Sequence, residues 1–385
     1  MDASAIILGG SHHNTLGLIR SLGRAGVRVS LVLHDGKTDS YLLRSRYLAE
    51  SAVVADVASV VPLLKGRKPE PVKPVVFCAS DGAAREIDLH RNELADTYCL
   101  PGCGRQGEVA RLMDKAVMAR LAASCGLRVP ASIEMETKAP QLEAVPYPCI
   151  VKPLLSTEGA KSDICVCENE AQLRAALLRC QSPRVQVQAF IDKAMEYQLI
   201  GVSTDQVRIP GRSRILSQPM VTNTGFLHYE HLDGTEPVAE CERFLRECGF
   251  RGLFSMEFLR DREGRDWFME INFRNDGNAI AVTEAGANMP LCWFRYGVGA
   301  PTQTEPFSIR EIYVMPEFDE IQLWNGQRIG WRRMWREMKQ ADAFMEYDPE
   351  DPAPTRGKSA FWGRLLMTAL FKRPYRILSG KNRKR

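Results

Sequence analysis

Residues 266–277 read DWFMEINFRNDG, and the rest of the chain can be organised around them. Trp267, Phe268, Met269 and Ile271 predict a short buried strand, interrupted by Glu270 and Asn272. Because strand side chains alternate, those two polar groups share one face. One strand upstream, residues 254–258 (FSMEF) carry Glu257, and DREG at 261–264 supplies a hairpin turn between the two strands. Arg274 follows at the strand's end. Two carboxylates and an amide, all oxygen ligands, followed by an arginine, suit a hard cation beside an anion. The plainer reading is an edge hairpin with two polar faces, and the hairpin alone leaves both open.

At 385 residues the chain exceeds one ordinary core, so two or three domains are expected. Its 45% hydrophobic and 25% charged residues are values of a soluble globular protein. No run approaches the roughly 18 apolar residues of a membrane span. The start, MDASAIILGGSHHN, begins acidic, lacks a basic n-region and opens from a short apolar run into a glycine turn, unlike a secretory signal. The eleven cysteines are scattered. Cys165-x-Cys167 and Cys99-x-x-x-Cys103 lack nearby histidines or a second pair, so zinc is not expected. Small buried thiols in a reducing compartment fit better, and the expected location is cytoplasmic. The net charge of +4 hides an asymmetry: residues 355–385 carry ten Lys or Arg and no acid, leaving the body mildly acidic.

Along the chain, a strand at 5–8 ends at Gly9-Gly10, a helix spans 14–23, and a second strand spans 27–33. This βαβ pattern predicts a parallel sheet. GGSHHN lacks the third glycine of a dinucleotide fingerprint. It still sets His12, His13 and Asn14 at a strand's carboxyl end, where open α/β sheets bind ligands. A tight turn alone explains the glycines equally. A strand at 75–78 is followed by Ser80-Asp81-Gly82, with Asp81 read as a helix cap or a ligand contact. One helix is expected over 108–124 with Asp114-Lys115 inside it. Strands are expected near 146–151, 164–166, 185–190 and 196–202, and helices over 168–180, 236–248 and 280–287. The stretches 210–214 and 223–234 read as loops.

Chemistry-bearing positions recur in one order. Lys115 and Lys152 can offer point charges to phosphate oxygens. A small-residue loop at 156–159 (STEG) can bring backbone NH groups to the same oxygens. Then come 187–191 (VQAFI), Glu196, and the group Glu257, Glu270, Asn272 and Arg274. Over about 105–300 this order resembles the ATP-grasp family, in LMDKAVMARLAASCGLRVP at 112–130, CIVKP at 149–153, VQAFI, MEF at 256–258 and FMEINFRNDGN at 268–278. The resemblance implies an α/β and α+β chain in three parts. These are an N-terminal parallel α/β (pre-ATP-grasp) domain at 1–105, a two-lobed ATP-grasp domain with antiparallel sheets at 106–305, and a C-terminal extension at 306–385 with a basic helical tail.

By that resemblance, Lys115, Lys152, Ser156, Thr157 and Gly159 would contact ATP phosphates, with Lys161 as an added contact. Gln188, Ala189, Phe190 and Ile191 would line the adenine pocket and Glu196 would hold the ribose. Glu257, Glu270 and Asn272 would bind Mg²⁺, with Mn²⁺ as an alternative. Arg274 and Lys152 would steady the transferring phosphoryl group or acyl phosphate. Three departures stand out: Phe273 where the family often has proline, one glycine in the phosphate loop, and Gln188 for the commoner glutamate.

The implied activity is carboxylate–amine ligation with ADP release, nearest the D-aspartate ligase and amino-acid ligase group. A nucleotide-binding regulator or scaffold and a phosphotransferase are the alternatives. The expected partners are a small carboxylate and an amine; nucleic acid is not expected, and a homodimer is left open. Residues read as facing the substrate are His12, His13, Asp81, His228, His231, Arg274 and Asn278. In the tail, 359–377 reads as a basic amphipathic helix that either lies on an anionic membrane surface or packs on the body.

Overall fold

The structure, a computed structural model, describes residues 3–154, 164–217, 225–301, 305–319 and 330–356. The first 94 residues place β1 (Ser4–Gly9), β2 (Arg28–Leu33), β3 (Leu48–Val53) and β4 (Val75–Cys78) in a parallel sheet ordered β3-β2-β1-β4. It is interleaved with α1 (His13–Gly23), α2 (Val60–Lys65), α3 (Asp81–Leu89) and α4 (Arg91–Leu94). Every residue of β1 is buried, as a strand covered on both faces must be. A Cβ at Gly9 would fall 2.3 Å from Thr15 Oγ1, so the exit from β1 needs glycine for close approach.

The expected helix over 108–124 is two. α5 (Glu108–Leu112) ends early, and α6 (Lys115–Ser124) starts afresh because Asp114 Oδ1 accepts from Ala116 N at 2.9 Å and Val117 N at 3.0 Å. A short acidic side chain is a better N-cap than an interior helix residue. Lys115 thereby opens a helix. A small lobe follows, with β5 (Ser132–Glu136), β6 (Cys149–Pro153), β7 (Cys165–Cys167) and β8 (Arg184–Ala189) ordered β5-β8-β6-β7. α7 (Glu170–Arg179) packs on one face against Cys149, Val151, Val185 and Val187. The opposite face presents Ile150, Lys152, Gln186 and Gln188.

The large sheet has eight strands: β9 (Lys193–Ser203), β10 (Val207–Arg208), β11 (Arg212–Ser217), β12 (Phe226–Glu230), β13 (Gly252–Asp261), β14 (Asp266–Asn272), β15 (Ile312–Met315) and β16 (Ala343–Phe344). Its path is β14-β13-β9-β11-β12-β15-β16, with β10 on β9. The supposed loops at 210–214 and 223–234 therefore hold two interior strands. Their polar residues hide the strand pattern because they pair across it: Arg212 Nε donates to Glu230 Oε1 at 2.7 Å. α8 (Val238–Glu247) covers one face with Phe244 and Leu245, packed among Tyr197, Leu199, Phe254 and Met256. On the other face Ile200, Val202, Leu227, Tyr229 and Leu253 share a core with α1, α9 (Ala279–Glu284) and α10 (Met289–Gly297). One continuous core thus joins the parallel sheet to the large sheet.

Among the described residues between 306 and 356, part of the segment joins the large sheet. It supplies β15 and β16, carries α11 (Trp331–Gln340), and then clasps α1. Buried Arg20 donates to Asp351 Oδ2 at 3.2 Å, Asp351 O at 3.0 Å and Glu346 O at 2.8 Å. Asp351 is fully buried and also accepts from Ser45 Oγ and Arg46 N. Removing one partner of such a pair strands the other's charge. Arg20→Ala should therefore lower the unfolding free energy by about 3–5 kcal/mol in urea denaturation.

Candidate active site

The hairpin of β13 and β14 sets Glu257 directly opposite Glu270, and Ser255 opposite Asn272. The next pair is Phe258 with Phe268, which leaves Met269 as a bulge. That extra residue resets the alternation. Phe268 and Ile271 both turn into the core under α8, while Glu270 and Asn272 stay on the opposite face with Glu257. Two like charges placed across a ladder repel. Burial and the neighbouring Glu270, Asp276 and Glu196 push the Glu257 carboxyl well above the usual carboxylate range.

The surrounding side chains fix this carboxylate. Gln198 lies opposite Glu257 on β9 and donates Nε2 to Glu257 Oε1 at 3.2 Å. Asn272 Nδ2 donates to the same oxygen at 3.2 Å. Asn278 Nδ2 donates to Gln198 Oε1 at 2.7 Å. Arg274 Nη2 reaches Asn272 Oδ1 at 3.1 Å, while its Nε donates to Asp81 Oδ1 at 2.8 Å. Asp81 and Asp276 raise the Arg274 pKa, although burial opposes them. Asp81 is accordingly no cap. Ser80 Oγ accepts from Ala83 N at 3.2 Å, and Asp81 is freed to hold the arginine. Asn275 Nδ2 donates to Asn14 Oδ1 at 2.5 Å, and Asn14 Nδ2 donates to Ala79 O at 2.9 Å. One polar chain thus runs from Glu257 to the carboxyl ends of β1 and β4.

Phe273, which departs from the proline common in the resembled family, has its own role. Its buried ring lies 5.0 Å from Phe250 and 6.5 Å from Phe244, anchoring the end of β14 where Arg274 leaves it.

Lys152 on β6 and Lys115 at the start of α6 approach the same space. Lys115 Nζ stands 4.0 Å from Glu270 Oε2, and Lys152 Nζ donates to Gln188 Oε1 at 3.0 Å. Burial and the neighbouring Lys115 ammonium push the Lys152 ammonium down to about 8. A cleft of about 330 Å³ opens between the small lobe and the hairpin. It gathers Lys115, Lys152, Gln188, Ala189, Phe190, Ile191, Glu196, Glu257 and Glu270. Ile150, Gln186, Leu259 and Met269 also line it and were not anticipated. Gln186 was discoverable, since the alternation of VQVQA puts it on the face of Gln188.

The other expected residues divide. His12 is the N-cap of α1, its Nδ1 accepting from Asn14 N at 3.1 Å. His13 is buried beside Glu346, 3.9 Å from its Oε1. His228 is not on the cleft side. Register aligns Tyr229, Ser213, Gln198 and Glu257 in one row, and His228 one residue away pairs with Arg214 on the opposite face. There it stacks on Tyr313 at 4.3 Å. His231 is exposed just beyond β12. Ser156, Thr157, Gly159 and Lys161 lie outside the described residues, as does the tail at 359–377.

The donor set fits a divalent cation. No group of three His, Cys, Asp or Glu side chains at metal-binding spacing occurs among the described residues. Two carboxylates and an amide are instead an open set, which phosphate oxygens and water would complete. The charge crowding at Glu257 is what a cation would relieve.

The sequence matches no family model, and no curated protein matches it. Solved structures do resemble it. The L-amino acid ligase of Bacillus licheniformis superposes with a TM-score of 0.62 at 16% identity, over 80% of this chain and 78% of that one. The N5-carboxyaminoimidazole synthetase of Staphylococcus aureus, complexed with ADP, gives 0.65 at 16% identity over 86% of each chain. A biotin carboxylase from Campylobacter jejuni with β-γ-ATP gives 0.62 at 14%, over 80% and 73%. The chain has the ATP-grasp fold. In that fold the observed cleft lies between the small lobe, which carries Lys152, and the large sheet, which carries Glu257 and Glu270, with Lys115 entering from α6 where it packs on β14.

The low Lys152 value has a direct consequence. Below pH 8 the ammonium is charged and polyphosphate binding should be steady. As pH rises through about 8 the charge is lost, and the dissociation constant of an added inorganic polyphosphate should grow by up to about tenfold per unit. Isothermal titration across this range measures it. Gln188→Glu should move the break upward, because a carboxylate favours the charged ammonium.

Proposed function

We propose that this chain is an ATP-dependent carboxylate–amine ligase that activates a small carboxylate as an acyl phosphate. The observation that carries this reading is the cleft itself. Two lysines on separate elements face a two-carboxylate-and-amide set, with Lys115 Nζ only 4.0 Å from Glu270 Oε2. Polyphosphate oxygens and a divalent cation together would satisfy both walls, and neither alone would.

In this reading the adenine lies against Ile150, Leu259 and Met269, with Gln188 and the backbone near Ala189–Ile191 fixing its edge and Glu196 the ribose. Lys115 and Lys152 hold phosphate oxygens, joined by Ser156, Thr157, Gly159 and Lys161 from the segment that follows β6 in sequence. Glu257, Glu270 and Asn272 would hold Mg²⁺, which would supply positive charge to the oxygens of the transferring group. A substrate carboxylate oxygen attacks the γ-phosphorus, and the bond to the β–γ bridging oxygen breaks, releasing ADP. An amine nitrogen then attacks the acyl carbon. The carbon–oxygen bond to phosphate breaks, the amine loses a proton, and phosphate leaves with one oxygen of the original carboxylate. No protein nucleophile enters this scheme. Positioning and charge neutralisation lower the barrier.

The amine and carboxylate approach from the carboxyl ends of β1 and β4, where Asp81 holds Arg274, His12 caps α1 and Asn278 holds Gln198. Arg274 holds the γ-phosphate or acyl phosphate while Asp81 keeps its fork oriented. The resemblance to an amino acid ligase favours an amino acid among the substrates.

Carboxylate labelled with ¹⁸O tests the reaction class. Incubated with ATP, Mg²⁺ and a panel of amines, a true substrate should pass one label to the released phosphate. Unlabelled phosphate would point to simple hydrolysis or another acceptor and overturn the reading. Glu270→Gln should lower ADP formation by about 10²-fold or more. An unchanged rate would remove Glu270 from the metal set.

A further inference from the structure

We propose that α11 is a docking face for an anionic lipid bilayer. Its sequence, WRRMWREMKQ, places Trp331, Trp335 and Lys339 at i, i+4 and i+8, on one helical stripe. Arg332 and Arg336 form the adjoining stripe. Trp331 and Trp335 are 57% and 52% exposed, although each is the kind of side chain a folded body normally covers.

The helix's one acid does not reach this face. Glu337 is turned to the body and buried, and Arg333 Nε donates to its Oε1 at 2.8 Å. Asp342, just past the helix, accepts from Tyr313 N at 2.8 Å on β15. The outward face of α11 therefore carries Arg332, Arg336 and Lys339 with no carboxylate of its own helix. Arg332 and Lys339 each sit 5.5 Å from the centre of a tryptophan ring.

Charge complementarity selects the occupant. Indole rings beside guanidinium and ammonium groups are the side chains that settle at the headgroup level of a bilayer. A basic helix with an aromatic stripe binds there by apolar burial together with attraction to anionic lipid. The chain that follows reinforces the sign, since residues 355–385 hold ten Lys or Arg and no acid. No helix among the described residues is long and apolar enough to cross a membrane, so the contact is with its surface.

The proposal is independent of the cleft, and its test uses the full chain. The protein should co-float with vesicles of phosphatidylcholine mixed equally with phosphatidylglycerol, and not with phosphatidylcholine alone. Brominated acyl chains should quench its tryptophan fluorescence, and added salt should weaken the binding. Arg332→Ala with Arg336→Ala should lower the partition coefficient about 25-fold, at about fivefold per basic residue. Trp331→Ala with Trp335→Ala should lower the quenched fraction of the fluorescence by at least half. Unchanged thermal midpoints in both double variants keep the comparison valid, and the two variants check each other. If both bind these vesicles like the parent chain, the tail alone carries any affinity and the proposal falls. It falls equally if a single-stranded RNA oligonucleotide binds through these residues while the vesicles do not.

Discussion

The structure depends on two carboxylates held where they repel. Glu257 and Glu270 face each other across one antiparallel pair, in a cleft that withholds much of the water that would screen them. Such a pairing of two ionised carboxylates costs free energy on its own. It persists because the sheet, the bulge at Met269 and the Phe268 and Ile271 side chains beneath it determine both backbones. Gln198, Asn272 and Lys115 then offset part of the repulsion without quenching it.

From that pair the polar network reaches far in sequence. Arg274 joins Asn272 to Asp81, and Asn275 joins Asn14, 261 positions away. The parallel sheet is consequently more than a preceding domain: its strand ends hold the arginine of the hairpin. The apolar end of the same sheet face makes this possible. Ile200, Val202, Tyr229 and Leu253 pack on α1, α9 and α10, which fixes the distance between Asp81 and β14.

Much of this was legible in the sequence. Glu270 and Asn272 share a face by simple alternation, and β1, α1 and β2 follow from apolar periodicity and two glycines. What escaped has physical reasons. Interior strands β11 and β12 carry Arg212, Arg214, His228 and Glu230, and polar residues look like loop until their cross-strand partners are known. Asp114 looks like a helix residue until its side chain is seen capping the next helix. His228 illustrates the sharpest limit. Its neighbour Tyr229 shares the row of Glu257, so a shift of one position separates cleft from opposite face. Only register, a long-range property, decides between them.

Gln188, where the resemblance implied a commoner glutamate, acquires a meaning from the same electrostatics. Lys152 is packed among apolar walls with Lys115 nearby, and its hydrogen-bond partner is a neutral amide oxygen. A carboxylate there would neutralise the ammonium and strengthen its hold on the proton, while leaving less net positive charge for phosphate. With glutamine, the hydrogen bond still aims Lys152, yet its charge is left uncompensated on that wall. The opposite wall has the reverse imbalance, an excess of carboxylate at Glu257 and Glu270. Each wall is therefore incomplete alone. A bound polyphosphate with its cation would bring negative charge to the lysines and positive charge to the carboxylates, so closing the cleft around it would relieve both imbalances in one step.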